Sequence, residues 1–219
     1  IPQAVLDGAY RNLGAGGHNW FVAKSLHISS ALLNGSFAEA ENVYLEATRN
    51  ERFRLLEASR RERWLLFHAH LALAEILGLF APVEPRAAGF RLSTFLNSVP
   101  NESRDKKNSN LIILILQSIY LVCMNQRDDA ERRIQYLNVY ASRYLRNETH
   151  SRAYVMIKAL QYVPRYAHRP AELRAMLAPS IDRIREAASH PMPGEINELL
   201  PYDVLLEALL RRLASQTSV

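Results

Sequence analysis

A chain of 219 residues with 48% apolar and 22% charged side chains and only 8 Gly carries enough hydrophobic material for one sizeable core or two small ones, which excludes a disordered chain. Its single cysteine, Cys123, excludes an internal disulfide and reads as a small buried core residue in a reducing compartment. The net charge is +5, and of the 27 basic residues only Lys24, Lys106, Lys107 and Lys158 are lysines; the arginines suit bidentate contacts with carboxylates or phosphates, and a compositional bias produces the same count.

Helical spacing dominates, without the alternation of strands. The chain begins Ile1-Pro2 and shows no signal peptide, so residues 1–18 read as a linker or ragged start in a piece of a longer protein. Within them "GAGG" (Gly14 to Gly17) lacks the strand and Lys-Ser/Thr of a phosphate loop and reads as a flexible lead-in. A helix is predicted over Asn19 to Leu33, ended at Gly35, where positive φ costs no Cβ clash. Ser36 and Glu39 form a capping-box signature for the next helix, and Ser59 with Glu62 repeat it before a helix from Arg60 to Gly78 with Trp64, Phe67, Leu71 and Leu77 inward. Pro82 and Pro85 interrupt, and Arg86 to Val99 forms another helix.

"NESRDKKNSN" reads as a loop. The apolar helix Ser109 to Met124 follows; its run "LIILILQSIYLVCM", from Leu111, stops short of the about 20 residues of a membrane span. Asp128 to Leu145 is its partner. Thr149 to Val163 should stop at Pro164, Pro170 to Ser189 should kink or split at Pro179, and "HPMPGE" should turn. Pro201 opens the last helix, with Leu206, Leu209, Leu210 and Leu213 on one stripe. About nine helices with short connections imply stacked antiparallel helical hairpins in one domain over 1–219.

"NGSFAEAENVYLEA" and "NQRDDAERRIQYLN" share a layout. Small, bulky and small residues at Ala40, Tyr44 and Ala47 resemble the second helix of a tetratricopeptide repeat; Ala130 and Ile134 match its first two positions, and Leu137 is large for the third. Trp64, Phe67 and Leu71 resemble a first helix, with His68 where Gly or Ala is usual. The later stretches "FLNSVPNESRDKKNSNLIILILQSIYLV", "YASRYLRNETHSRAYVMIKAL" and "INELLPYDVLLEAL" resemble the C-terminal half of a group of longer, uncharacterised helical-repeat proteins from Bacteroidetes. That resemblance implies a tetratricopeptide-like α-solenoid and a cytoplasmic setting, and brings no catalytic residues.

No metal or cofactor is expected: His68 and His70 are the only close histidines, and residues two apart on a helix point about 200° apart. Glu39, Glu41, Asp128 and Asp129 suit first helical turns, and no constellation asks for an enzyme. The expected role is a non-catalytic scaffold binding a protein or peptide, with Arg143, Arg146, Arg152 and Tyr144, and Arg104, Lys106 and Lys107 on the polar stretch, as the candidate anionic contact. The same residues, and the Arg60, Arg61 and Arg63 turn, also read as solvated helix faces. The alternative role is a nucleic-acid-binding accessory domain using an Arg-rich surface; self-association through an uncapped end is a further expectation.

Overall fold

Three residues in the left-handed region set where helices stop. Gly35 (φ 73), Gly78 (φ 69) and Asn125 (φ 56) each sit two residues past the last residue of a helix. At each, the next amide reaches back five residues: Ser36 N–H to the Ala31 carbonyl at 2.9 Å, Leu79 to Ala74 at 2.9 Å, Gln126 to Leu121 at 3.0 Å. This is the Schellman closure, which satisfies carbonyls that the helix leaves without donors.

The computed structural model describes Tyr10 and residues 13–83, 106–145, 151–188 and 198–217, and among them every regular element is helical. Contacts divide the chain into two compact units, Ile1–Ser103 and Arg104–Val219, where the sequence reads as one continuous repeat domain. The first unit contains α1 (His18–Leu33), α2 (Phe37–Arg49), a 3-10 segment (Glu51–Leu55) and α3 (Ala58–Ile76). The second contains α4 (Lys106–Cys123), α5 (Arg127–Tyr144), α6 (Arg152–Leu160), the single turn α7 (Val163–Tyr166), α8 (Pro170–Ala188) and α9 (Tyr202–Thr217).

In the first unit α2 folds back along α1: Lys24 meets Glu46, and His27, further along α1, meets Glu39, earlier on α2. Ala40 and Ala47 are fully buried, so the small residues of the quoted phrase do sit where helices approach. Trp64, Phe67, Leu71 and Leu77 are buried as their spacing requires. His68, large where a small residue is usual, lies against the Tyr44 ring with centroids 5.7 Å apart and planes 15° apart. The second unit repeats the turn: α4 closes at Asn125, and Ala130, Ile134 and Leu137 are buried on α5. Leu173, Leu177, Ile181 and Ile184 on α8 and Leu206, Leu209, Leu210 and Leu213 on α9 complete its core.

Several boundaries differ from the sequence reading. Ser36 is the N-cap residue of α2, but its ψ of 61° turns it from the extended conformation and its side chain makes no capping bond; Glu39 reaches across to His27 instead. The next helix, α3, starts at Ala58 after Glu57, two residues before the predicted Arg60, and a 3-10 turn capped by the Asn50 carboxamide precedes it. Lys106 and Lys107 belong to α4, because an apolar run extends its helix into polar flanks once a core holds it. Pro164 does not stop a helix; it occupies the first turn of α7, where its missing N–H costs nothing. Pro179 lies inside a continuous α8, on an exposed position.

Gly16 (φ 75) packs so closely that a Cβ there would stand 2.7 Å from Asn50 Oδ1, so "GAGG" is a seated turn and not merely a flexible lead-in. The predicted helix over 86–99, Pro85, Thr149 and "HPMPGE" lie outside the described residues.

Candidate docking surfaces and ion cluster

On α1, Trp20, Phe21, Lys24, Ile28, Ala31 and Leu32 turn inward. The 3.6-residue period then puts Val22, Leu26 and Leu33 together on the opposite side. They are 40%, 52% and 45% exposed, so α1 presents an apolar stripe outward. Beside it a groove of about 400 Å³ runs between α1 and α3, lined by Phe21, Val22 and Ser25 on one wall, Arg60, Arg63 and Trp64 on the other, and Leu56 and Glu57 at one end. Its Phe21 and Trp64 belong to an aromatic cluster: Trp64 stands edge-on to Phe21, Phe53 and Phe67 at centroid distances of 6.4, 5.8 and 5.4 Å.

The charge of this groove is lopsided. Arg60 Nε lies 3.8 Å from the Glu57 carboxylate, at the limit of an ion pair, and Arg63 is exposed with no charged partner among the described residues. The Ser25 hydroxyl is committed to the Val22 carbonyl at 2.7 Å.

Behind the stripe, α1 and α2 share a polar chain. Tyr10 Oη lies 2.9 Å from His27 Nδ1, and His27 Nε2 lies 2.7 Å from Glu39 Oε1. Lys24, buried to 5% exposure, places its ammonium 2.5 Å from Glu46 Oε2 and 4.0 and 5.2 Å from the Tyr10 and Trp20 ring centres. Glu41, 1% exposed, accepts the Val83 amide at 2.8 Å, tying the chain after α3 to α2. These groups are ordinary means of satisfying buried charge.

In the second unit the arginines organise helices. Arg152 donates two hydrogen bonds to Glu198, at 2.6 and 3.0 Å, reaches Asp203 at 3.5 Å, and donates to the Ile184 carbonyl. Glu198 also accepts the Tyr202 amide at 3.2 Å, capping α9. Burial pushes its carboxyl pKa up, against the Arg152 hydrogen bonds and charge, which pull it down. Arg185 links Asp203 to Glu207, and Arg174 reaches Glu207 as well. Three cations and three carboxylates thus alternate across α6, α8 and the start of α9.

The residues singled out in the sequence therefore separate. Arg152 shares the α6 face of Val155, Met156 and Ala159, and its side chain is 12% exposed, so its fork is turned into the unit. Arg143 points the other way: with Arg132, Tyr136 and Val139, at intervals of four, three and four, it forms an exposed stripe on α5. Tyr144 lies in the last turn of α5 and Lys106 and Lys107 in the first of α4, with their side chains outside the described residues, as are Arg104 and Arg146 entirely.

Cys123 is buried, and desolvation pushes its thiol up to about 12, in keeping with a core residue. No cluster of three metal-ligating side chains occurs among the described residues, and none of their helices is long and apolar enough to cross a membrane. Comparison with known proteins finds no matching family model, curated protein or solved structure.

Proposed function

We propose that this chain is a non-catalytic scaffold of stacked helical hairpins, tetratricopeptide-like, whose groove between α1 and α3 holds an amphipathic, acidic segment of a protein partner. The observation that carries the reading is the groove with the stripe beside it: Val22 on their shared edge, exposed Leu26 next along the stripe, and Trp64 and Arg63 in the groove's lining. An apolar face flanked by cations takes a helix with apolar residues at four- and three-residue spacing and carboxylates beside them. Repeat proteins of this kind bind partners along an extended concave surface, and the reading takes the α1–α3 groove as part of one. The cytoplasm suits the buried thiol of Cys123.

Two 18-residue helical peptides, Leu at the repeat positions and Glu or Lys elsewhere, test this by fluorescence polarisation. The acidic peptide is expected to bind the full chain, the basic one not. Leu26→Glu and Arg63→Glu each weaken binding at least tenfold, since burying one apolar side chain is worth about 1.5–3 kcal/mol. Equal binding of both peptides, or binding indifferent to both substitutions, refutes the assignment. The nucleic-acid alternative has less to draw on, because Arg132, Arg152, Arg169, Arg174 and Arg185 are already engaged by carboxylates.

A further inference from the structure

Where the α4–α5 turn meets α7 and the end of α9, the second unit forms an open cavity of about 350 Å³. Its walls are of two kinds. Val122 and Leu213 supply apolar surface, and Asn125, Arg127, His168 and Gln216 supply polar groups. Among the described residues no carboxylate lines it, and neither Arg127 nor His168 has a hydrogen-bond or ion-pair partner. Asp129, two residues from Arg127, is committed to Arg132 at 2.5 Å.

The cavity is also braced. Gln216 donates its carboxamide N–H to the Cys123 carbonyl at 3.2 Å, the last residue of α4, which tethers α9 across the opening. Asn125 is held at positive φ by the turn's own hydrogen bonds.

We propose that this cavity binds a small organic anion: a carboxylate or phosphate head on a compact apolar body. The volume lies at the small end of ligand pockets, which are mostly apolar with a few convergent polar groups. The Arg127 fork matches the planar, two-oxygen face of such a head, and His168 and the carboxamides offer further donors. The apolar wall distinguishes this ligand from an inorganic ion, which would leave Val122 and Leu213 uncovered. The site lies wholly in the second unit and does not depend on the peptide groove.

Titration calorimetry on the full chain at low salt tests it with four probes: benzoate, phenyl phosphate, benzamide and inorganic phosphate. Benzoate or phenyl phosphate is expected to bind, whichever is tighter naming the head group, and benzamide at least tenfold more weakly. Inorganic phosphate should bind at least tenfold more weakly than phenyl phosphate. Arg127→Gln, an exposed position where folding is not at stake, should cost the winning probe at least tenfold, and Arg183→Gln, exposed on α8, nothing. Benzamide equal to benzoate and phenyl phosphate, inorganic phosphate equal to phenyl phosphate, indifference to Arg127→Gln, or no heat from any probe at millimolar concentration overturns the proposal.

Discussion

Acid should loosen the first unit through one side chain, His70. It is 3% exposed, and its Nδ1–H donates to the Leu66 carbonyl at 2.7 Å, a bond that on its own favours the charged ring and that burial outweighs. Burial lowers its pKa from 6.5 to about 4. The unfolded chain therefore takes a proton as pH falls through 6.5 while the folded chain refuses it until about 4, so stability is full above 6.5 and drains away across that window. At about 1.36 kcal/mol per pH unit the whole window is worth about 3 kcal/mol, of which about 2 is lost between pH 7 and pH 5. Both tryptophans, Trp20 and Trp64, lie in this unit, so urea unfolding followed by their fluorescence reports on it directly. His70→Asn keeps an amide donor and cannot titrate; the stability gap between native and variant chains should close by about 2 kcal/mol from pH 7 to pH 5. A gap constant across that range would show that His70 is not buried as a neutral ring.

Arg152→Ala should cost about 3–5 kcal/mol in thermal or urea unfolding, because it leaves the buried Glu198 without its cation, and Arg152→Lys should recover only part of that, lacking the planar fork. At the α4–α5 turn, Asn125→Gly should be neutral or stabilise by up to about 1 kcal/mol, and Asn125→Val should destabilise clearly, as φ 56 demands. Ala130→Leu should cost about 1–3 kcal/mol by overpacking a fully buried contact. Cys123 should resist iodoacetamide at pH 8 in the native chain and react on denaturation; alkylation at the rate of an unstructured peptide thiol would contradict its burial.

The stripes were legible and the long-range pairings were not. Leu173 to Ile184, Leu206 to Leu213 and Trp64 to Leu77 announce their buried faces by period alone, and Gly35 announces its turn by needing positive φ. The first capping box failed because a serine and a glutamate three residues apart describe one local option, and a tertiary partner displaced it: Glu39 took His27. Arg152 was grouped with Arg143 by proximity in sequence. Its helix phase, four before Met156 and seven before Ala159, already put it on the inner face, but the carboxylate awaiting it lies at residue 198 and no local pattern points there. The groove of the first unit was half visible: Arg60 and Arg63 stand out in the sequence, whereas the Val22–Leu26–Leu33 stripe looks like any other helix core until the true core is seen to lie on the other side.

Arg152 grips the Ile184 carbonyl with one nitrogen and the Glu198 carboxylate with two others. One side chain thus clasps both margins of the connection from α8 to α9, and the docking of α9 no longer relies on the tether between them. Loop-closure entropy grows only logarithmically, about 0.6 kcal/mol for each doubling in length. Extra residues, a tag or a grafted epitope between α8 and α9 should accordingly cost little unfolding stability, so long as the clasp on Ile184 and Glu198 is kept.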